Sequence, residues 1–145
     1  MTIRKTLLVI ETIGRTASAL DKWLRENRWH GLWVKQPDVA IPLIDSKDRI
    51  CAVLLVDDDP AEDSLINNLK ILKQWSQEVP VVVATDETNG VLEKTVRKLG
   101  VFYYHTVDNG IDELKTAVEC AFEKALKDNL FMTLSGGVKG RRKPC

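Results

Sequence analysis

The sequence is poor in the residues that build disulfide scaffolds and metal centres. Its 145 residues include three cysteines and two histidines, and the cysteines, at positions 51, 120 and 145, have neither C-x-x-C nor metal-ligand spacing. An odd number of widely separated cysteines is typical of a reducing compartment, where free thiols pack as small apolar side chains. We therefore expect no disulfide framework, no cysteine-based zinc site and a cytoplasmic location.

An excess of charge of one sign is also missing. The 21 Lys and Arg residues balance the 21 Asp and Glu residues, so the formal net charge is zero at pH 7. Nothing in this balance favours nucleic acid or an anionic membrane surface as a partner. The one basic cluster lies within residues 139–143 and contains no aromatic residue. We interpret residues 131–145 as a flexible basic tail, and residues 1–130 as the folded domain.

Long apolar runs and the signatures of common nucleotide-dependent enzymes are absent as well. No stretch reaches the roughly 18 apolar residues that a membrane-spanning helix needs, and Glu11 interrupts the first apolar run early. No G-x-G-x-x-G follows a predicted strand, and the Gly-Gly-Val-Lys-Gly stretch at 136–140 lacks the spacing of a phosphate-binding loop. Neither histidine belongs to a nucleophile motif, and we expect both at the surface or at a strand end. We predict that the chain is not an enzyme and has no membrane partner.

The most informative stretch that is present is Ile50–Pro60, where seven apolar residues lead directly into three aspartates and a proline. A continuous, β-branched-rich apolar run of this length is typical of a strand buried on both faces, as in the centre of a parallel sheet. Ligands bind beyond the carboxyl ends of such strands, which is where the three aspartates stand. The stretch therefore predicts both a central strand and a site.

Strands and helices alternate along the chain. The strands are predicted at Thr6–Ile10, Leu32–Val34, Ile50–Val56, Pro80–Ala84 and Val101–Thr106. The helices are predicted at Thr16–Asn27, from Pro42, over Pro60–Gln77, over Asn89–Leu99 and from Ile111. This alternation predicts an α/β, flavodoxin-like, doubly wound three-layer sandwich, with five parallel strands in the order 2-1-3-4-5 and helices on both faces.

The predicted strand order brings several carboxylates together. Its switch point lies between strands one and three, so Glu11 is expected beside Asp57, Asp58 and Asp59. Crowded carboxylates repel one another unless a cation lies among them, and Mg²⁺ is the usual solution. We predict Glu11, Asp57 and Asp59 as metal ligands. A carboxylate in such a site can also attack phosphorus to form an aspartyl phosphate.

From Lys5 to Asp128 the sequence resembles the receiver domains of two-component response regulators. The stretch Pro80-Val-Val-Val-Ala-Thr85 is similar to the family's fourth strand, and Gly-Val followed by Tyr104 is similar to its fifth. The resemblance implies that Asp57 accepts a phosphoryl group with Mg²⁺, and that Thr85 and Tyr104 act as switch residues. It also implies a histidine kinase or another signalling protein as partner, and a homodimer through the fourth helix, fifth strand and fifth helix.

The sequence departs from that family at three points. Glu11-Thr12 stands where two acids are typical, Pro60 follows Asp57 by three residues instead of four, and Val107-Asp108 replaces an expected Lys-Pro. These departures leave a second hypothesis, a pseudo-receiver that acts as a protein-interaction domain without phosphorylation. A third hypothesis is an FMN-binding flavodoxin-like protein, because the loop that follows strand one keeps a Gly and a Thr at spacings that resemble a flavodoxin phosphate loop.

Overall fold

The described part of the computed structural model comprises residues 4–40, 48–57, 64–86, 90–128 and 130. The strands are β1 (Arg4–Ile10), β2 (His30–Val34), β3 (Asp48–Asp57), β4 (Val81–Thr85) and β5 (Tyr103–Thr106). The helices are α1 (Arg15–Glu26), α2 (Pro37–Ala40), α3 (Ser64–Trp75), α4 (Gly90–Lys98) and α5 (Ile111–Asp128). A 3₁₀ turn, Val107–Asn109, joins β5 to α5.

All five strands pair in parallel in one sheet with the order β2-β1-β3-β4-β5. The predicted strand order and the flavodoxin-like fold are therefore confirmed. The side chains of Ile50–Leu55 are at most 1% exposed, because β3 lies between β1 and β4 and is covered on both faces. This burial is why the β3 sequence is a continuous apolar run and does not alternate with polar residues.

Helices cover both faces of the sheet, as predicted. One core cluster joins the sheet to α3 and α4 through Leu65, Leu69, Leu72 and Val96. The other joins the opposite face to α1 and α5 through Leu20, Leu24, Leu114, Val118 and Phe122. From Ala52 to Leu55 consecutive residues of β3 alternate between the two clusters, so each face of this strand contributes to a separate half of the core. Cys51 and Ala52 belong to the same cluster, because the register of β1 and β3 shifts there.

Apolar patterns predicted the ends of some helices and strands more closely than others. The fourth helix was predicted to end at Leu99 and ends at Lys98, and Gly100 follows with φ +91° and an N–H that donates to Arg97 O, a geometry typical of a helix end. Edge strand β2 starts two residues earlier than predicted, at His30, since its pairing uses backbone groups and its side chains are partly exposed. The predicted helix start at Pro42 and the first residues of the helix predicted from Pro60 lie outside the described residues.

An aromatic cluster joins the end of α1 to α5. The ring of Trp29 stacks on Phe122 with centroids 4.2 Å apart, and Trp23 meets Trp29 edge-on at 5.5 Å. Leu130 is buried beside them in the same core half, and its N–H donates to Ala125 O.

No described helix is long and apolar enough to cross a membrane.

Candidate functional site

The register of the sheet brings four polar residues to one edge, which we call the carboxyl edge: Glu11, Asp57, Thr85 and Thr106. Ile10 pairs with Leu55, which places Glu11 just beyond β1 near the end of β3. Asp57 pairs with Thr85, and Thr85 pairs with Thr106. Parallel strands end on the same side, so residues far apart in sequence meet at this edge.

Asp57 and Thr85, the predicted acceptor and one predicted switch residue, are in contact. The Thr85 hydroxyl donates to Asp57 Oδ2 over 3.3 Å. Thr85 is buried, whereas Asp57 is partly exposed at the end of β3. The carboxylate is therefore accessible from solvent and held beside a hydroxyl group, as the receiver resemblance implies for an acceptor and its sensing residue.

Glu11 lies at the carboxyl edge but its side chain turns towards α1. It is 1% exposed. Its two carboxylate oxygens accept hydrogen bonds from the backbone N–H groups of Thr16 and Ala17, each at 2.9 Å. These are among the N–H groups at the start of a helix that have no partner within the helix itself. Both oxygens of a predicted metal ligand are thus engaged inside the protein.

Of the three predicted Mg²⁺ ligands, the structure describes Glu11 and Asp57. Mg²⁺ needs nearly octahedral oxygen coordination and usually takes one or two carboxylates as well as water. Of the predicted ligands, Glu11 is buried and bonded to α1, Asp57 accepts the Thr85 hydroxyl, and Asp59 lies outside the described residues. Within the described ranges, no three His, Cys, Asp or Glu side chains form a group that could hold a metal ion. The three-carboxylate site stays a prediction.

Tyr104, the second predicted switch residue, is buried on the α3 and α4 face of the sheet. It is 6% exposed and belongs to the core half that contains Val83 and Val96. The guanidinium carbon of Arg97, in α4, lies 5.9 Å from the centre of its ring, a distance compatible with a cation–π contact. A change in the position of Tyr104 would therefore alter its contact with Arg97 and so affect α4.

The position after β5 carries an apolar side chain where the resemblance calls for a lysine. Val107 begins the 3₁₀ turn and is 55% exposed. Beside it, Asn109 donates its side-chain N–H to the Thr106 hydroxyl at 3.0 Å. Val107 cannot supply the positive charge that a phosphoryl group on Asp57 would need.

A hydrogen-bonded cluster that the sequence interpretation missed joins β5 to α5. Glu113 Oε1 accepts the Tyr103 hydroxyl at 2.9 Å and lies 3.1 Å from His105 Nδ1. His105 is 2% exposed and lies near the end of β5, so of the two expected places, the surface or a strand end, the structure shows the strand end. A period-2 pattern hints at the cluster, since Tyr103 and His105 share one face of β5. Nothing in the spacing identifies Glu113 as their partner.

The Tyr103 hydrogen bond shapes the titration of Glu113. It lowers the pKa of the Glu113 carboxyl, with a further contribution from His105, and it raises the pKa of the Tyr103 phenol. A carboxyl group with a lowered pKa stabilises the fold above its unfolded-state pKa, about 4.3, and this contribution is lost as the pH falls through the folded-state value. The Tyr103 contribution is present below about pH 10 and is lost at higher pH.

The Tyr103→Phe variant should therefore raise the pKa of Glu113. The phenylalanine ring keeps the packing but removes the hydroxyl donor to the ionised carboxylate. We expect acid unfolding of this variant to begin at a higher pH than that of the unmodified protein. A carbon-13 NMR titration of the Glu113 carboxyl checks the pKa, with other carboxyl groups on α5 as internal references. An unchanged Glu113 titration would show that the bond does not form in solution.

Solved receiver domains share this fold. The signal receiver domain of a putative Luxo repressor protein from Vibrio parahaemolyticus is 20% identical, with a TM-score of 0.71 over 88% of this chain and 97% of that one. A CheY-like receiver domain protein from Methanospirillum hungatei is 10% identical, with a TM-score of 0.69 over 87% and 98%. The beryllofluoride-activated NtrC4 receiver domain dimer is 20% identical, with a TM-score of 0.67 over 82% and 97%.

These likenesses establish that the chain has the receiver, CheY-like fold. No family model matches the sequence, and no curated protein matches it.

Proposed function

We propose that this chain is a receiver-fold signalling module that acts by contact with another protein and does not depend on a phosphoryl group. The observation that carries this proposal is the exposed Val107 at the end of β5. Phosphoryl transfer to a carboxylate needs little from the protein except positioning and neutralisation of charge. An apolar side chain at this position supplies neither, while it adds to a surface that a protein partner can cover.

The surface proposed for the partner is the face made by α4, β5 and α5. Three of the large apolar side chains that are exposed among the described residues belong to it: Val91 is 74% exposed, Val107 55% and Ile111 40%. All three lie near the carboxyl edge, at the start of α4, after β5 and at the start of α5. Exposed apolar side chains grouped in this way are typical of interaction sites. The partner is a histidine kinase, another signalling protein or a second copy of the chain.

Phosphoryl acceptance by Asp57 is the second candidate function. The specific observation in its favour is the hydrogen bond of 3.3 Å between the Thr85 hydroxyl and the partly exposed Asp57 carboxylate. In this version an Asp57 carboxylate oxygen attacks the phosphorus of a phosphoryl donor such as acetyl phosphate, and the bond from phosphorus to the leaving group, here acetate, breaks as the new O–P bond forms. Thr85 and Tyr104 then transmit the change to the α4, β5 and α5 face.

The FMN-binding hypothesis loses its basis at the start of α1. A flavin phosphate would need the N–H groups there, and the Glu11 carboxylate already accepts their hydrogen bonds.

Treatment with acetyl phosphate and MgCl₂ should leave the intact mass of the protein unchanged. The same treatment of the Asp57→Asn variant is the matched control, since it removes the acceptor oxygen and keeps the shape of the side chain. Sedimentation velocity on both samples should show no change in association state. A gain of one phosphoryl group in the unmodified protein that the Asp57→Asn variant lacks would refute the proposal and establish the second candidate.

A further inference from the structure

Helix α1 begins without a capping side chain of its own. Its N-cap residue is Gly14, which has no side chain that could accept a hydrogen bond, and its first turn contains no acidic residue. A helix start normally receives an oxygen from Ser, Thr, Asp or Asn at the N-cap, bonded to the N–H of the second or third helical residue. In α1 these are Thr16 and Ala17, and both donate to the Glu11 carboxylate.

Glu11 thus caps α1 with its side chain, although it lies three residues before the N-cap residue Gly14. Its negative charge lies against the positive end of the α1 dipole, and each of its oxygens receives one charge-assisted hydrogen bond. The side chain is 1% exposed, so water competes little for these bonds. The arrangement gives two N–H groups an acceptor and gives the charged carboxylate two hydrogen-bond donors.

The backbone of Glu11 is held as firmly as its side chain. Its N–H donates to Val34 O at 3.0 Å, and its carbonyl oxygen accepts the indole N–H of Trp33 at 2.8 Å. Both partners belong to edge strand β2. A cation that drew the Glu11 carboxylate away from α1 would leave two partly buried N–H groups at the start of the helix without this acceptor, which is costly.

We infer that Glu11 is a positioning residue that caps α1, and that it does not serve as a ligand for a divalent cation. The carboxylate that the strand order predicted as a Mg²⁺ ligand is used instead to join β1, α1 and β2 at the carboxyl edge. This inference rests on the proposed function and extends it. If Glu11 caps α1, the structure of the carboxyl edge does not require a metal ion bound to Glu11. The test of the inference measures backbone amides and not phosphorylation, so either proposal can fail alone.

Hydrogen exchange of the Thr16 and Ala17 amides in the full chain tests the inference without any substitution. If Glu11 caps α1, millimolar MgCl₂ should leave the exchange rates of both amides unchanged. If Mg²⁺ draws the carboxylate away from α1, the two N–H groups lose their acceptor and both rates should rise as the site fills. A saturable rise of this kind would overturn the inference.

The Glu11→Gln variant tests the capping role itself. Glutamine offers one acceptor oxygen in place of two and no charge, so the exchange of the Thr16 or Ala17 amide should rise by about tenfold or more. The matched control is Glu26→Gln, an exposed carboxylate at the opposite end of the same helix, which should change neither rate. Rates in Glu11→Gln equal to those of the unmodified protein would show that Glu11 does not cap α1.

Discussion

The Phe122→Ala variant is expected to lose about 3–5 kcal/mol of unfolding free energy. Phe122 is 1% exposed and is among the largest fully buried side chains of the described residues. It packs in the core half between the sheet, α1 and α5, and its ring stacks on Trp29. Truncation removes this apolar burial and leaves a cavity that rigid neighbours cannot fill.

Urea denaturation followed by circular dichroism measures this loss. The matched control is Phe102→Ala, because Phe102 is only partly buried against the same core half and its truncation should cost clearly less. Tryptophan fluorescence, to which Trp29 contributes together with the three other tryptophans of the chain, provides a second probe. A loss below about 1 kcal/mol for Phe122→Ala would contradict the packing described for α5, since such a value is typical of surface substitutions.

The Gly14→Ala variant is expected to lose about 3 kcal/mol, from backbone strain and steric overlap together. Gly14 has φ +94°, a conformation that residues with a Cβ rarely adopt. A Cβ at this position would also lie 2.7 Å from Cζ2 of the Trp33 ring. The ring is held by its N–H bond of 2.8 Å to Glu11 O, so a shift of the ring away from the new methyl group strains that bond.

The Gly100→Ala variant is the matched control for this prediction. Gly100 has a similar φ of +91°, but the nearest atoms to its added Cβ are those of the Lys73 side chain at 3.7 Å, an ordinary contact. We expect this control to lose about 1–2 kcal/mol, from strain alone. Chemical denaturation of both variants separates the two causes. Equal losses would mean that the Trp33 ring yields freely to the new methyl group.

Part of the candidate site follows from the residue pattern and part does not. Asp57 was predicted at a site because it ends a buried apolar strand and ligands bind beyond the carboxyl ends of parallel strands, whereas Thr85 was named only through the receiver resemblance. The predicted metal role of Glu11 drew on the same reasoning, which correctly places its backbone at this edge. Position along a strand does not say where a flexible carboxylate turns, and the Glu11 side chain bonds to α1.

The five strands and their order were readable from the amino-acid pattern, because an apolar run such as Ile50–Val56 indicates a strand buried on both faces whatever the position of the rest of the chain. The short helix Pro37–Ala40 was not, since the pattern predicted a helix from Pro42. The partners of Glu11 and Glu113 were not readable in this way. A hydrogen bond requires two groups to meet at about 3 Å with correct orientation, and such a meeting depends on the backbone path between them. That path places Glu11 against the start of α1 and Glu113 against Tyr103 and His105, which is information held in the assembled fold.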